Sequence, residues 1–138
     1  MVAKKFSKSW KSSIQTRKQR KYVYNAPNHI RHKLMSVTLA QDLRDAQGVR
    51  NVPVRVGDTV EVMTGQFKTQ SGKVAKVNLA KLKVYVEGVT QNKRDGTAVM
   101  YPIHPSNLKI TKLDLGDELR KTKIEKRAQE RKAKEASK

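Results

Sequence analysis

The residues of this chain best placed to do chemistry are three histidines, two strand glutamates and a lysine set between two glycines. His29 and His32 stand three apart in "NAPNHIRHKL", a spacing that puts both rings on one helical face, as in some metal sites. No carboxylate or cysteine lies near them in sequence, so they read as polar groups on a basic helix, and no metal is expected. His104, in "IHPSN", follows an expected strand and precedes a proline; a hydrogen-bonded structural or RNA-contacting role suits it better than that of a catalytic base. Glu61 and Glu87 fall on expected strands without a catalytic context. No glycine-rich phosphate loop opens a helix and no Ser/His/Asp arrangement is indicated. The chain is therefore expected not to be an enzyme and to need neither cofactor nor small-molecule substrate. The stretch "GDTVEVMTGQFKTQSGKVAKV", residues 57–77, offers a different chemistry. Gly65 and Gly72 permit backbone angles that other residues resist. Lys68 and Lys73 could then reach an anion while the main chain approaches it closely. The alternative is a hairpin whose glycines serve only its turn.

Charge narrows the choice of anion. The chain has 138 residues, about one domain, and a net charge of +19 from 31 Lys and Arg against 12 Asp and Glu. Such an excess resists compaction unless a polyanion neutralises it, and nucleic acid does so with release of condensed counterions. An anionic membrane is the rival polyanion. No apolar run approaches the roughly 20 residues needed to span a bilayer. The start, "MVAKKFSKSWKSS", lacks the apolar segment of a secretory signal, and its basic character continues past any plausible transit cleavage point. A soluble intracellular protein is expected. There is no cysteine, which excludes disulfides, thiolate chemistry and cysteine zinc sites.

The elements that must carry these residues fall into four segments. Residues 1–24 form a basic arm: ten Lys and Arg precede the first acid, Asp42, with Phe6, Trp10, Tyr22 and Tyr24 interleaved. A one-sign block repels itself and is expected to stay extended until it binds. Tyr22 and Tyr24 either stack on exposed bases or anchor the arm to the domain. Residues 25–50 are expected to hold two short helices. Pro27 opens the first, with Ile30 and Leu34 on its apolar face and Arg31 and Lys33 pointing away. The second starts at Thr38, where Gln41 completes a capping box, buries Leu39 and Leu43, and stops at Gly48.

Residues 51–111 are expected to be a small β-barrel. Ten of the fifteen valines lie within 54–111, alternating as Val54 and Val56, Val60 and Val62, and Val84 and Val86. Val74 and Val77 break the alternation, so a bulge or bend is expected near Lys76. Asp95-Gly96 signals a two-residue hairpin joining "KVYVEGV" to "TAVMYPI". Residues 112–138 interleave ten basic with six acidic residues around a short stripe of Leu115, Leu119 and Ile124. They read as an exposed helix or a disordered tail, with a helix along RNA as the functional alternative. The expected class is mainly β, with helical and basic extensions.

Gly57-Asp58-x-Val60-x-Val62 followed by Gly65, Lys68, Gly72 and Val74 resembles the KOW motif of ribosomal and elongation-factor barrels. The flanks "RKQRKYVYNAPNHIRHKLMS", "LAQDLRDAQGVRNVPVRVGD", "VYVEGV", "DGT" and "IHPSNLKIT" narrow the likeness. Together they resemble the KOW-containing large-subunit ribosomal protein family, number twenty-four in universal naming and twenty-six in eukaryotic naming. The arm and "IHPSN" look like its archaeal and eukaryotic branch. The likeness covers residues 10 to 115. It departs at Thr69, where the family usually has a glycine after the motif lysine, and around Thr38, where a proline is usual.

The resemblance implies a Src-homology-3-like barrel, and a structural constituent of the large ribosomal subunit that supports assembly and translation. It implies binding to the 5′ region of large-subunit ribosomal RNA near the polypeptide tunnel exit. Neighbouring ribosomal proteins are the other partners; no membrane and no independent homo-oligomer are expected. The location implied is the cytosolic subunit, with assembly in the nucleus or nucleolus in a eukaryote. The arm contacts implied are Lys4, Lys5, Lys8, Lys11, Arg17, Lys18, Arg20 and Lys21. Arg31, His32 and Lys33 follow on the first helix; Gly65, Lys68, Gly72, Lys73 and Lys76 come from the motif, and Lys93, Arg94 and His104 from later loops. A transcription elongation factor would attach such a barrel to a polymerase-gripping domain, and none fits here. A chromatin-packing protein would explain the charge but not the ordered matches. A peptide-binding module would need more than 5% aromatic residues.

Overall fold

A computed structural model describes residues 6, 7 and 12–136. Its centre is a mixed, barrel-like sheet of six strands in the order β2-β1-β8-β3-β4-β5. These are β1 (Ser36–Leu39), β2 (Asn51–Pro53), β3 (Thr59–Val62), β4 (Ser71–Asn78), β5 (Lys83–Val86) and β8 (Leu108–Lys112). All pairings are antiparallel except β1 with β8. A small hairpin of β6 (Thr90–Asn92) and β7 (Ala98–Met100) stands apart from the sheet. Strands β1, β3 and β5 alternate half-buried and buried residues, the period-2 signature of a sheet with one face on the core. That core gathers Val37 and Leu39 from β1, Val60 and Val62 from β3, Val84 and Val86 from β5, and Leu108 and Ile110 from β8.

The β4 register shifts between Val74 and Lys76, where the bulge was expected. Lys76 lies opposite Tyr85 and Val74 opposite Val86. The extra residue keeps Lys73 and Lys76 exposed while Val74 is buried and Val77 packs against the core.

Among the described residues four helices flank the sheet: α1 (Thr16–Asn25), α2 (Asn28–Leu34), α3 (Gln41–Gln47) and α4 (Glu118–Ala136). Helix α1 corrects the extended arm over its length. Its Arg, Lys and Gln are good helix formers, and neither Gly nor Pro interrupts them before Pro27. Local propensity thus outweighs like-charge repulsion, although α1 buries no residue.

The helix expected from Thr38 is also corrected. Thr38 lies in β1, opposite Asn51 on one side and Lys109 on the other. The run Ser-Val-Thr-Leu buries Val37 and Leu39 on one face, so tertiary pairing overrides the capping-box signal. Helix α3 starts only at Gln41 and has no side-chain cap; its preceding residue, Ala40, donates its N–H to Ile110 O at 2.8 Å. Gly48 ends α3 with φ +65°, as expected.

Three further expectations change. Val56 lies beyond β2 and is 56% exposed, while Val52 and Val54 are the buried pair. The Asp95-Gly96 hairpin has a three-residue loop: Gly96 N–H donates to Lys93 O at 3.0 Å, Lys93 N–H donates to Thr97 O at 2.9 Å, and Gly96 has φ +82°. This is a turn closed by a left-handed glycine bulge, and the Asp95 carboxylate supports it by accepting from Thr97 N–H. Leu119 is 69% exposed and leaves the expected apolar stripe. Arg120, Ile124 and Ala128 form the inward face of α4 instead, at four-residue spacing.

Candidate nucleic-acid interface

The motif's aspartate has an internal purpose. Asp58 is fully buried beside Arg120, which is 4% exposed. Arg120 Nη1 donates to Asp58 Oδ1 at 2.6 Å and Nη2 to Oδ2 at 2.7 Å, a fork-on-fork ion pair. The remaining carboxylate capacity accepts from Arg55 N–H at 2.8 Å and Asp114 N–H at 3.0 Å. Arg120 also donates to Asp114 O and Pro53 O. A second tie lies beside it: Arg55 pairs with Asp117, whose carboxylate also accepts from Leu119 N–H at the start of α4. The Arg55 hydrogen bond holds the Asp117 carboxyl below the usual range. The tail helix is thus fastened to the barrel. Opposed charges distant in sequence, as here, carry no local signal, which is why sequence reasoning missed this clamp.

Fastening α4 creates a basic cleft of about 910 Å³ between α2, β2 and α4. His29, His32 and Lys33 line it from α2, and Lys123, Lys126 and Arg127 from α4. Val52, Pro53 and Ile124 supply apolar lining, and Glu130 is the acid present. Lys33, Lys123 and Lys126 make no ion pair among the described residues. Burial, followed by the charges of Arg55, Lys123 and Arg120, lowers the His32 pKa from 6.5. Of the cleft's lining residues, sequence reasoning had placed only His32 and Lys33 among the RNA contacts; the tail had been read as either a solvated, charge-paired segment or a helix along RNA.

The other expected contacts are spread over the surface. Lys4, Lys5, Lys8 and Lys11 lie outside the described residues. Arg17, Lys18, Arg20 and Lys21 are exposed on α1. Tyr22 packs against Phe6 with ring centroids 4.9 Å apart, and Tyr24 is 80% exposed. Arg31 does not point away as expected: it is half-buried, and its Nη2 donates to Tyr24 O at 2.7 Å, joining α2 to the end of α1. Lys93 and Arg94 are exposed in the β6–β7 turn. His104 caps a short 3₁₀ helix, Pro105–Asn107: Nδ1 accepts from Ser106 N–H at 3.3 Å and lies 2.8 Å from Ser106 Oγ. Burial, with Lys83 nearby, lowers its pKa from 6.5.

Within the motif loop the two glycines differ. Gly65 has φ +94° and open space around a hypothetical Cβ, so it supplies a left-handed turn facing outward. Gly72 has no such angle; a Cβ there would lie 2.3 Å from Glu87 O, so its bareness serves the close approach of β4 to β5. Thr69 has φ +71°, a conformation that glycine takes easily and a β-branched residue resists. Lys68 is exposed one position earlier.

These cations surround a barrel with no group of three or more metal-ligating side chains among the described residues. Among those residues, no helix is long and apolar enough to cross a membrane. The sequence profile of the family described as ribosomal proteins, L26 in eukaryotes and L24 in archaea, matches residues 13–127. The chain is also similar to the "Large ribosomal subunit protein uL24" of Pyrobaculum islandicum. Identity is 48% over 119 residues, covering 86% of this chain and 97% of the relative.

Proposed function

Because the chain belongs to the family of eukaryotic L26 and archaeal L24 ribosomal proteins, and so is not an enzyme, we propose that it is a structural constituent of the large ribosomal subunit that binds ribosomal RNA. The observation that carries this reading is the family match over residues 13–127, which takes in the sheet, α1, α2 and the clamped start of α4. The barrel is of the Src-homology-3-like KOW kind, with the segment before it acting as a basic arm and the segment after it as a charged helix. Exposed cations on α1, the motif loop and the β6–β7 turn meet phosphates, and shape rather than base sequence directs docking. Lys4, Lys5, Lys8 and Lys11, which lie outside the described residues, are further proposed RNA contacts by their charge. The site on the RNA is the 5′ region near the tunnel exit, in the cytosolic subunit, beside neighbouring ribosomal proteins.

Sedimentation of lysate through a sucrose gradient, before and after a high-salt wash, tests this. Near one-to-one recovery with the large subunit after the wash is expected. Loss at moderate salt, or recovery with polymerase or chromatin, overturns it.

A further inference from the structure

We propose that the cleft between α2, β2 and α4 receives a single unstacked nucleotide of RNA, its base against Pro53 and the aliphatic stems of the lining lysines, above the nearly buried Val52 and Ile124, and its flanking phosphates on Lys33, Lys123 and Lys126. This rests on the RNA-binding reading above and assigns one RNA feature to one place.

Three observations carry it. First, the volume of about 910 Å³ lies within the roughly 300–1,000 Å³ range of small-molecule pockets, ample for one nucleotide. Second, the lining is divided. Apolar side chains and a ring of cations together match a molecule with a flat, weakly polar body and charged flanks. A phosphate alone would leave the apolar part unused, and a duplex would not enter a cleft of this size. Third, the cleft is preformed. Arg120–Asp58 and Arg55–Asp117 hold one wall, and Ile124 is buried beneath it. Lys33 on α2 and the lysines of α4 therefore share one cleft with no acid paired to any of the three, among the described residues. An anion between them relieves that repulsion. Among the described residues no Phe, Tyr or Trp lines the cleft, and its rings are the imidazoles of His29 and His32, so the base is held by aliphatic and imidazole contact and its identity matters little.

The test uses the full chain and two RNA hairpins, identical except that one carries a single bulged nucleotide, 2-aminopurine, whose fluorescence reports its surroundings. The wild type is expected to prefer the bulged hairpin and to change the probe's fluorescence. The Lys123→Ala/Lys126→Ala variant should lose both effects, and its salt slope should fall by about 2, roughly one per lysine. Both side chains are exposed, so melting temperature should not move. Arg17→Ala/Arg20→Ala serves as the contrast: it should weaken binding to both hairpins equally and keep the preference. Equal binding of both hairpins by the wild type overturns the cleft assignment alone, as does a preference that survives in the lysine variant. Failure to bind either hairpin, or large-subunit RNA, overturns the RNA reading itself. Displacement of the bulge by a polyglutamate peptide at equal affinity would assign the cleft to acidic protein instead.

Discussion

Replacing Arg120 by alanine should be the most damaging single change available in the tail. Four donors converge on Asp58: two guanidinium N–H groups and the backbone N–H groups of Arg55 and Asp114. Arg120→Ala removes the two charged donors and strands a carboxylate that is 0% exposed. Breaking a buried pair from one side costs about 3–5 kcal/mol, because the remaining charge loses its compensation without regaining water. A domain of this size has about 5–15 kcal/mol in total, so the loss is a large share. At roughly 3–5 °C per kcal/mol, the melting temperature should drop by about 9–25 °C. Urea titration and thermal melting of the purified chain measure this, and hydrogen exchange locates it. Protection should vanish first from 118–128, where Ile124 and Ala128 lose their hold on the core. Asp58→Asn should cost less than Asp58→Leu, since the amide oxygen still accepts from one of the two backbone donors. If Arg120→Ala melts within about 3 °C of wild type with α4 amides equally protected, the clamp is not what fastens the tail.

Other perturbations probe the remaining elements. Thr69→Gly relieves a left-handed threonine and should stabilise the fold by about 1 kcal/mol, the strain less the added chain entropy, read as a higher urea midpoint; an unchanged midpoint denies the strain. Gly72→Ala should destabilise by about 1–3 kcal/mol or more, because a Cβ at 2.3 Å from Glu87 O must push β5 away; a wild-type melt would show that β4 and β5 can part freely. The folded protein lowers the pKa of His104, so the unfolded chain binds the proton more readily. The stability this gives is full above pH 6.5 and fades as pH falls through the lower folded value, since protonated Nδ1 cannot accept from Ser106. His104→Asn should therefore flatten the stability profile between pH 7 and 5, and an unchanged slope places the dependence elsewhere. Lys68→Ala with Lys73→Ala should weaken RNA binding and reduce its salt slope by about 2; an unchanged slope leaves the loop as a turn only.

The parts of the fold legible in sequence are those set by neighbours along the chain. Alternating Val60/Val62 and Val84/Val86 marked β3 and β5, the broken spacing of Val74 and Val77 marked the bulge, and Gly48 marked a helix end. Thr38 misled because its capping box is a local preference, whereas its strand pairs with Asn51 and with the distant Lys109. Arg120 was invisible for a similar reason: a charged residue in a run of charges looks solvated unless its partner, 62 positions away, is known. The cations of α1 and the motif loop could be read as exposed because charge alone places them outside. The cleft could not, since it arises only when α4 is laid across α2 and β2.

The position of β8 has a consequence for how this chain is made. β8, residues Leu108–Lys112, lies between β1 and β3, so it bridges two ladders that its absence would leave separate. During synthesis β1–β2 and β3–β4–β5 emerge first, each with a bare edge that only this late strand can cover. The nascent polypeptide cannot close its sheet until Lys112 is free to pair, and cannot lock it until Arg120 follows. Closure of the sheet is therefore a late event, and until it happens the open β1 and β3 edges add to the outer edges of β2 and β5 as surface on which a chaperone can act or aggregation can start.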